Sequence, residues 1–104
     1  MLTCVSYSYA QELHTISTSV YNIFIPAYLS GYPGDTIRFE YDGSSYPHTT
    51  TSTDIPLGAS SWDAELSAQN PTFDLVLSHV GVYDYICTPH VQIGMVGKIT
   101  VLPA

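Results

Sequence analysis

Three side chains able to bind a soft metal fall within nine residues, in Cys87-Thr88-Pro89-His90-Val91-Gln92-Ile93-Gly94-Met95. The spacing is C-x2-H-x4-M, so a thiolate, an imidazole and a thioether share one segment. A second imidazole, His48, stands upstream in Tyr46-Pro47-His48-Thr49-Thr50. Sulfur donors with two imidazoles select copper, and a His2Cys plane with a weak axial Met is the donor set of type 1, or blue, copper sites that transfer electrons. Copper(II) prefers tetragonal nitrogen and oxygen donors, whereas copper(I) prefers few, soft ones. A compromise held by a rigid scaffold changes little between the two states, and electron transfer is then fast. Met95 is the most replaceable of the four, because axial positions also accept Gln or a backbone oxygen. Zinc takes the same nitrogen and sulfur donors. A Cys–His nucleophile pair needs an orienting third group that the sequence does not supply.

The elements that must position these donors read as β-strands. Thr36 to Tyr41 alternates, with Ile37, Phe39 and Tyr41 on one face, behind a Pro33-Gly34-Asp35 turn. Phe73, Leu75 and Leu77 repeat the pattern. Tyr83, Tyr85 and Cys87 share a face of the next strand, and Ile99 and Val101 a face of the last. Ile16, Thr18 and Val20 give a weaker alternation near the start. The stretch from Asp54 to Asn70 is least regular, with room for a short strand or one helical turn. Cys87 should end a strand and Met95 open the next, with Pro89 and Gly94 bending the chain between them. A neighbouring strand end should supply His48. Short strands with frequent turn residues predict an all-β sandwich or barrel. Trp62 is expected to pack against it, Tyr83 and Tyr85 to serve as core and corner residues, and His14 and His79 to lie at the surface.

The chain has 104 residues, 45% of them hydrophobic and 11% charged. That length fits one domain, 1–104, able to bury a core without disulfides. Residues 1–12 are expected to be an N-terminal extension. The low charge excludes a coiled coil, and the apolar content argues against disorder. Arg38 and Lys98 are the only lysine or arginine residues, and the formal charge is −7. This excludes a nucleic-acid binder that neutralises phosphates and disfavours an anionic membrane surface. A basic protein or a metal cation suits it better. No apolar run approaches the roughly 20 residues of a membrane span. Leu2-Thr3-Cys4 and Ser8-Tyr9-Ala10 only faintly suggest processing sites. A Cys4–Cys87 disulfide is arithmetically allowed, but the place of Cys87 among the donors opposes it.

The chain resembles the cupredoxins, type 1 blue copper proteins, close to the plastocyanin, pseudoazurin and amicyanin group. The resemblance runs from about Asn22 to Leu102. Phe24-Ile25-Pro26 followed by Pro33-Gly34-Asp35-Thr36-Ile37-Arg38-Phe39 matches the family's F-x-P…G-D-T-V-x-F. Pro47-His48-Thr49-Thr50 matches the segment of its first histidine ligand, and Gly81 to Cys87 matches G-x-Y-x-aromatic-x-C. The loop and closing strand follow in Thr88-Pro89-His90 and Gly94 to Ile99. The resemblance implies a Greek-key β-sandwich of about eight strands and one type 1 copper per chain, held by His48, Cys87, His90 and Met95. It implies one-electron shuttling without enzymatic turnover. The partner would be a redox protein, basic in view of the charge, such as a cytochrome or a copper oxidase. The location would be periplasmic or otherwise extracytoplasmic. Docking is expected where the His90 edge protrudes, among Pro47, Pro89, Val91 and Ile93, with Gln92 at the rim.

Two positions depart from the family pattern. Thr49 stands where many relatives have an Asn that ties the two ligand loops together; its hydroxyl can still reach the backbone near Thr88. Ile86 replaces the Tyr that precedes the cysteine in plant plastocyanins, so a remote docking route is in doubt. The acidic residues form no run. Two other functions use the same donors. One is an open copper site reacting with nitric oxide or nitrite, for which the sequence lacks an acid–base pair near the loop. The other is copper handling, for which two methionines make no Met-rich transfer site.

Overall fold

The computed structural model describes residues 11–44 and 46–104. Cys4 and both suggested processing sites lie outside the described residues. Among the described residues eight strands run in chain order: β1 (Leu13–Ser17), β2 (Tyr28–Gly31), β3 (Thr36–Glu40), β4 (His48–Asp54), β5 (Asp63–Leu66), β6 (Thr72–Val76), β7 (Gly81–Ile86) and β8 (Val96–Val101). They form two sheets, one ordered β1-β3-β6 and the other β2-β8-β7-β4-β5. β1 pairs parallel with β3, and β2 parallel with β8, while the remaining pairs are antiparallel. This is the expected Greek-key β-sandwich. No helix among the described residues is long and apolar enough to cross a membrane.

Alternation along each strand sends one set of side chains between the sheets. Ile16, Ile37 and Phe39 come from the smaller sheet, and Leu66, Tyr83, Tyr85, Ile99 and Val101 from the larger; all are buried. Phe39 and Tyr85 meet edge to face across the gap, with ring centroids 5.2 Å apart. Phe24 also meets Tyr85 edge to face, at 4.8 Å, and lies 6.3 Å from Phe39. Trp62 covers the end of this aromatic cluster, as expected, and its indole N–H donates to Thr50 Oγ1. The irregular stretch after Asp54 holds the short strand β5, with Asp63 opposite Thr51. The Tyr83 hydroxyl donates to the carbonyl of His79 and accepts from its N–H, both at 3.1 Å. This is the corner role expected of it, pinning the turn before β7.

Two expectations need correction. The alternation starting at Ile16 stops early: β1 ends at Ser17 and Val20 is 68% exposed. Thr18 is still buried and its N–H still donates to the Glu40 carbonyl, while its hydroxyl donates to Asp42 and accepts from the Asp42 N–H; the pattern fails only at Val20. His14 is not a simple surface residue. Its Nε2 lies 2.9 Å from the buried carboxylate of Asp35, which also accepts N–H bonds from Glu12 and Tyr32. Burial opposes the charge on Asp35, but the His14 imidazole and the two N–H groups prevail and hold its pKa below the ordinary value. Thr36 N–H donates to the Glu12 carbonyl, so the chain is tied to the sandwich from Glu12 onward.

Candidate metal centre

β4 begins at His48, and β7, antiparallel to it, ends at Ile86. The start of one strand and the residue after the other, Cys87, therefore meet at the same end of the larger sheet. Beyond Cys87 the chain makes a short 3-10 turn, Thr88–Ile93, with Pro89 in its first turn. Gly94 closes it in the left-handed region, at φ 90°, and its N–H donates to Val91. A residue with a Cβ is strained there. Met95 follows: its N–H donates to the His90 carbonyl at 3.2 Å, and its carbonyl accepts from the Cys87 N–H at 2.9 Å. The loop between β7 and β8 is thus cross-braced, and it holds three of the four sequence candidates.

His48, Cys87 and His90 converge. Their donor atoms all lie within 4.8 Å of one another. Cys87 Sγ is 3.7 Å from His48 Nδ1 and 3.3 Å from His90 Nδ1. The two imidazole centroids are 4.9 Å apart. A trigonal first-row metal with bonds of about 2.3 Å to sulfur and 2.0 Å to nitrogen needs sulfur–nitrogen edges of about 3.7 Å. The cluster has that size, so its atoms fit around one ion with little movement. Met95 is fully buried and joined through its backbone to Cys87 and His90.

The electrostatics suit soft-metal uptake. Burial, then the neighbouring His90, lowers the pKa of His48, keeping that imidazole neutral and its lone pair available. Burial raises the Cys87 pKa against the opposing hydrogen bonds from Thr49 and His90. The metal-free cysteine is therefore a thiol, and metal must displace its proton. Thr49 N–H donates to Cys87 Sγ at 3.4 Å, and such donors to a ligating sulfur tune its basicity. Among the described residues, the buried His48 Nε2 has no hydrogen-bond partner. The expected reach of Thr49 to the other loop is present: its Oγ1 accepts the Thr88 N–H at 2.9 Å.

The sequence profile of copper-binding proteins of the plastocyanin/azurin family matches residues 15–102. The chain belongs to this family. It is 34% identical to plastocyanin of Sambucus nigra over 86 residues, covering 75% of this chain and 86% of that one. Against chloroplastic plastocyanin of Hordeum vulgare it is 35% identical over 85 residues, covering 76% of this chain and 54% of that one. The chain thus spans about half of the barley protein's length. A pseudoazurin structure from Sinorhizobium superposes with a TM-score of 0.72 at 31% identity, covering 90% of this chain and 77% of that one. The protein is a cupredoxin with one type 1 copper, and electron transfer is the function that its relatives and its donor cluster support.

The sequence missed part of the surface around this cluster. The chain passes from the end of β3 to His48, and β1 runs parallel to β3. The connection after β1 therefore leaves at the same end of the sandwich. It exposes Val20, Tyr21 and Ile23, while Tyr46, Val91 and Ile93 are exposed on the loops that bear the donors. Alternation could not reveal Val20, Tyr21 and Ile23, since Val20 read as a strand position, whereas Val91 and Ile93 were already expected at the docking surface.

Proposed function

We propose that the protein is a one-electron carrier, not an enzyme, whose copper would be held by His48, Cys87, His90 and Met95. The observation that carries this reading is the convergence of one sulfur and two Nδ1 atoms at the spacing a trigonal metal requires. When bound, the copper supplies a redox couple that gains and loses one electron. The β4 start and the braced loop fix the three donors, so neither oxidation state demands a different arrangement of the chain. Buried Cys87 and His48 exclude water from the donor set. His90 is the partly exposed member, so its ring edge would be the route for an electron to and from a bound copper.

The surface around that edge supports docking of a protein. Pro47, Pro89, Val91 and Ile93 are exposed, and Val20, Tyr21, Ile23 and Tyr46 extend the apolar area at the same end. Both basic side chains already face carboxylates: Arg38 binds Asp74 at 2.8 Å, and Lys98 lies 3.9 Å from Asp84. A net charge of −7 then favours a basic redox partner of the cytochrome or copper oxidase kind, with steering that weakens as salt rises. A carrier of this kind would work in the periplasm or an equivalent extracytoplasmic compartment.

Adding copper(II) to the purified protein should generate an intense blue, purple or green band that saturates at one copper per chain. Weak absorption at that stoichiometry would end the thiolate–copper reading. Met95→Gln should retain copper but lower the reduction potential, because a harder axial oxygen favours the oxidised ion. Cyclic voltammetry gives the comparison, and an unchanged potential would remove Met95 from the ligand set.

A further inference from the structure

Thr49 and Thr88 each directly follow a proposed ligand, and a chain of hydroxyls joins them to a carboxylate at the sheet surface. Thr88 N–H donates to Thr49 Oγ1 at 2.9 Å. Thr49 Oγ1 lies 3.0 Å from Thr51 Oγ1, which also lies 3.2 Å from Thr88 Oγ1. Thr51 in turn donates to Asp63 at 2.8 Å. Strand register builds this arrangement. Thr49 and Thr51 share one face of β4, Asp63 is the cross-strand partner of Thr51 on β5, and Ile86, just before Cys87 and Thr88, faces Thr51 from β7.

A hydroxyl has one proton to give and two lone pairs to receive with, whereas an ionised carboxylate only accepts. The Thr51 proton is therefore committed to Asp63. Thr51 Oγ1 can then only accept, so the hydroxyl protons of Thr49 and Thr88 both point at it. With its own proton so used, Thr49 Oγ1 presents a lone pair to the Thr88 N–H. One carboxylate thus sets the direction of both hydroxyl–hydroxyl hydrogen bonds, Thr49 to Thr51 and Thr88 to Thr51.

We propose that Thr51 and Asp63 are positioning residues for the metal centre, holding the Thr49 hydroxyl in the orientation that clamps the His48 loop to the Cys87 loop. The proposal rests on the copper reading above for its consequence, but the clamp itself exists without metal. The same Thr49 residue gives its N–H to Cys87 Sγ, so loosening Thr49 also alters the donor to the ligating sulfur. Each hydrogen bond of this kind is worth about 1 kcal/mol net, a factor of about five in a local opening equilibrium.

The test compares Thr51→Val, Asp63→Ala and Thr51→Ser with the wild type. In the copper-free protein, amide hydrogen exchange at Thr88 should accelerate about fivefold in Thr51→Val and in Asp63→Ala. Thr51→Ser should restore the wild-type rate. In the copper-loaded protein, the reduction potential and the thiolate band should move in the same direction in the first two variants and return in Thr51→Ser. Unchanged Thr88 exchange in either disrupting variant, or no rescue by serine, would overturn the clamp. An unmoved potential alongside faster exchange would overturn its role at the metal. If the wild type instead formed no thiolate band, the copper reading would fail while the metal-free exchange result still judged the clamp.

Discussion

Cys87→Ser is expected to remove the intense visible band of the copper-loaded protein entirely. The band requires a thiolate bound to copper, and Cys87 is the free cysteine among the described residues. Its sulfur lies within 3.7 Å of both imidazole Nδ1 atoms, so it is the common neighbour of the cluster. A serine hydroxyl is a hard donor with a far higher pKa. It offers copper(I) a poor partner, so affinity for the reduced ion should fall as well. Folding should suffer less, because the Thr49 N–H that faces Sγ can donate to the serine oxygen and reduce the cost of burying a hydroxyl. Absorption spectra with copper quantified, beside circular dichroism of the metal-free variant, separate the two effects. A Cys87→Ser protein that stays intensely coloured would refute the assignment of that ligand.

Gly97→Ala should bring the largest loss of stability from a single added methyl group. Gly97 lies directly opposite Tyr85 in the β7–β8 ladder, and a Cβ built on it would overlap the Tyr85 ring and hydroxyl. The ring has little room to retreat, because Phe24 and Phe39 hold it edge to face at 4.8 and 5.2 Å. Overpacking of a fixed core costs up to about 3 kcal/mol. For a domain near 100 residues that corresponds to a melting temperature lower by about 10–20 °C. The Tyr85 hydroxyl is buried without a partner among the described residues, and burial pushes its pKa up. Removing it in Gly97→Ala/Tyr85→Phe relieves part of the overlap and a buried unsatisfied group together, so this double variant should recover some of the loss. Thermal denaturation of the metal-free proteins decides it, and a Gly97→Ala melting point equal to that of the wild type would contradict the packing.

The proposed donor set was legible because three of its members lie on one hairpin. Nearness in sequence is then nearness in space, and Cys87, His90 and Met95 needed no knowledge of the sheets. His48 is a different case, since only the family resemblance distinguished it from an ordinary loop histidine. The strands that alternate strongly, such as Thr36–Glu40, were legible too. β2, Tyr28-Leu29-Ser30-Gly31, was not, because its place depends on parallel pairing with β8 rather than on its own pattern. The His14–Asp35 contact and the threonine chain ending at Asp63 were equally hidden. They join residues that only the register brings side by side, and hydroxyl direction has no signature in composition.

The hairpin location of those three donors also bears on the unfolded chain. Opening the sandwich separates β4 from β7 and carries His48 away, but Cys87, His90 and Met95 remain within nine residues of one another. An unfolded chain therefore keeps a partial claim on the metal, and stabilisation by any ligand depends on how much better the folded state binds it. With the proposed ligands, copper would favour the native sandwich chiefly through the one donor that must be brought from afar, His48, together with the burial that shields the sulfur.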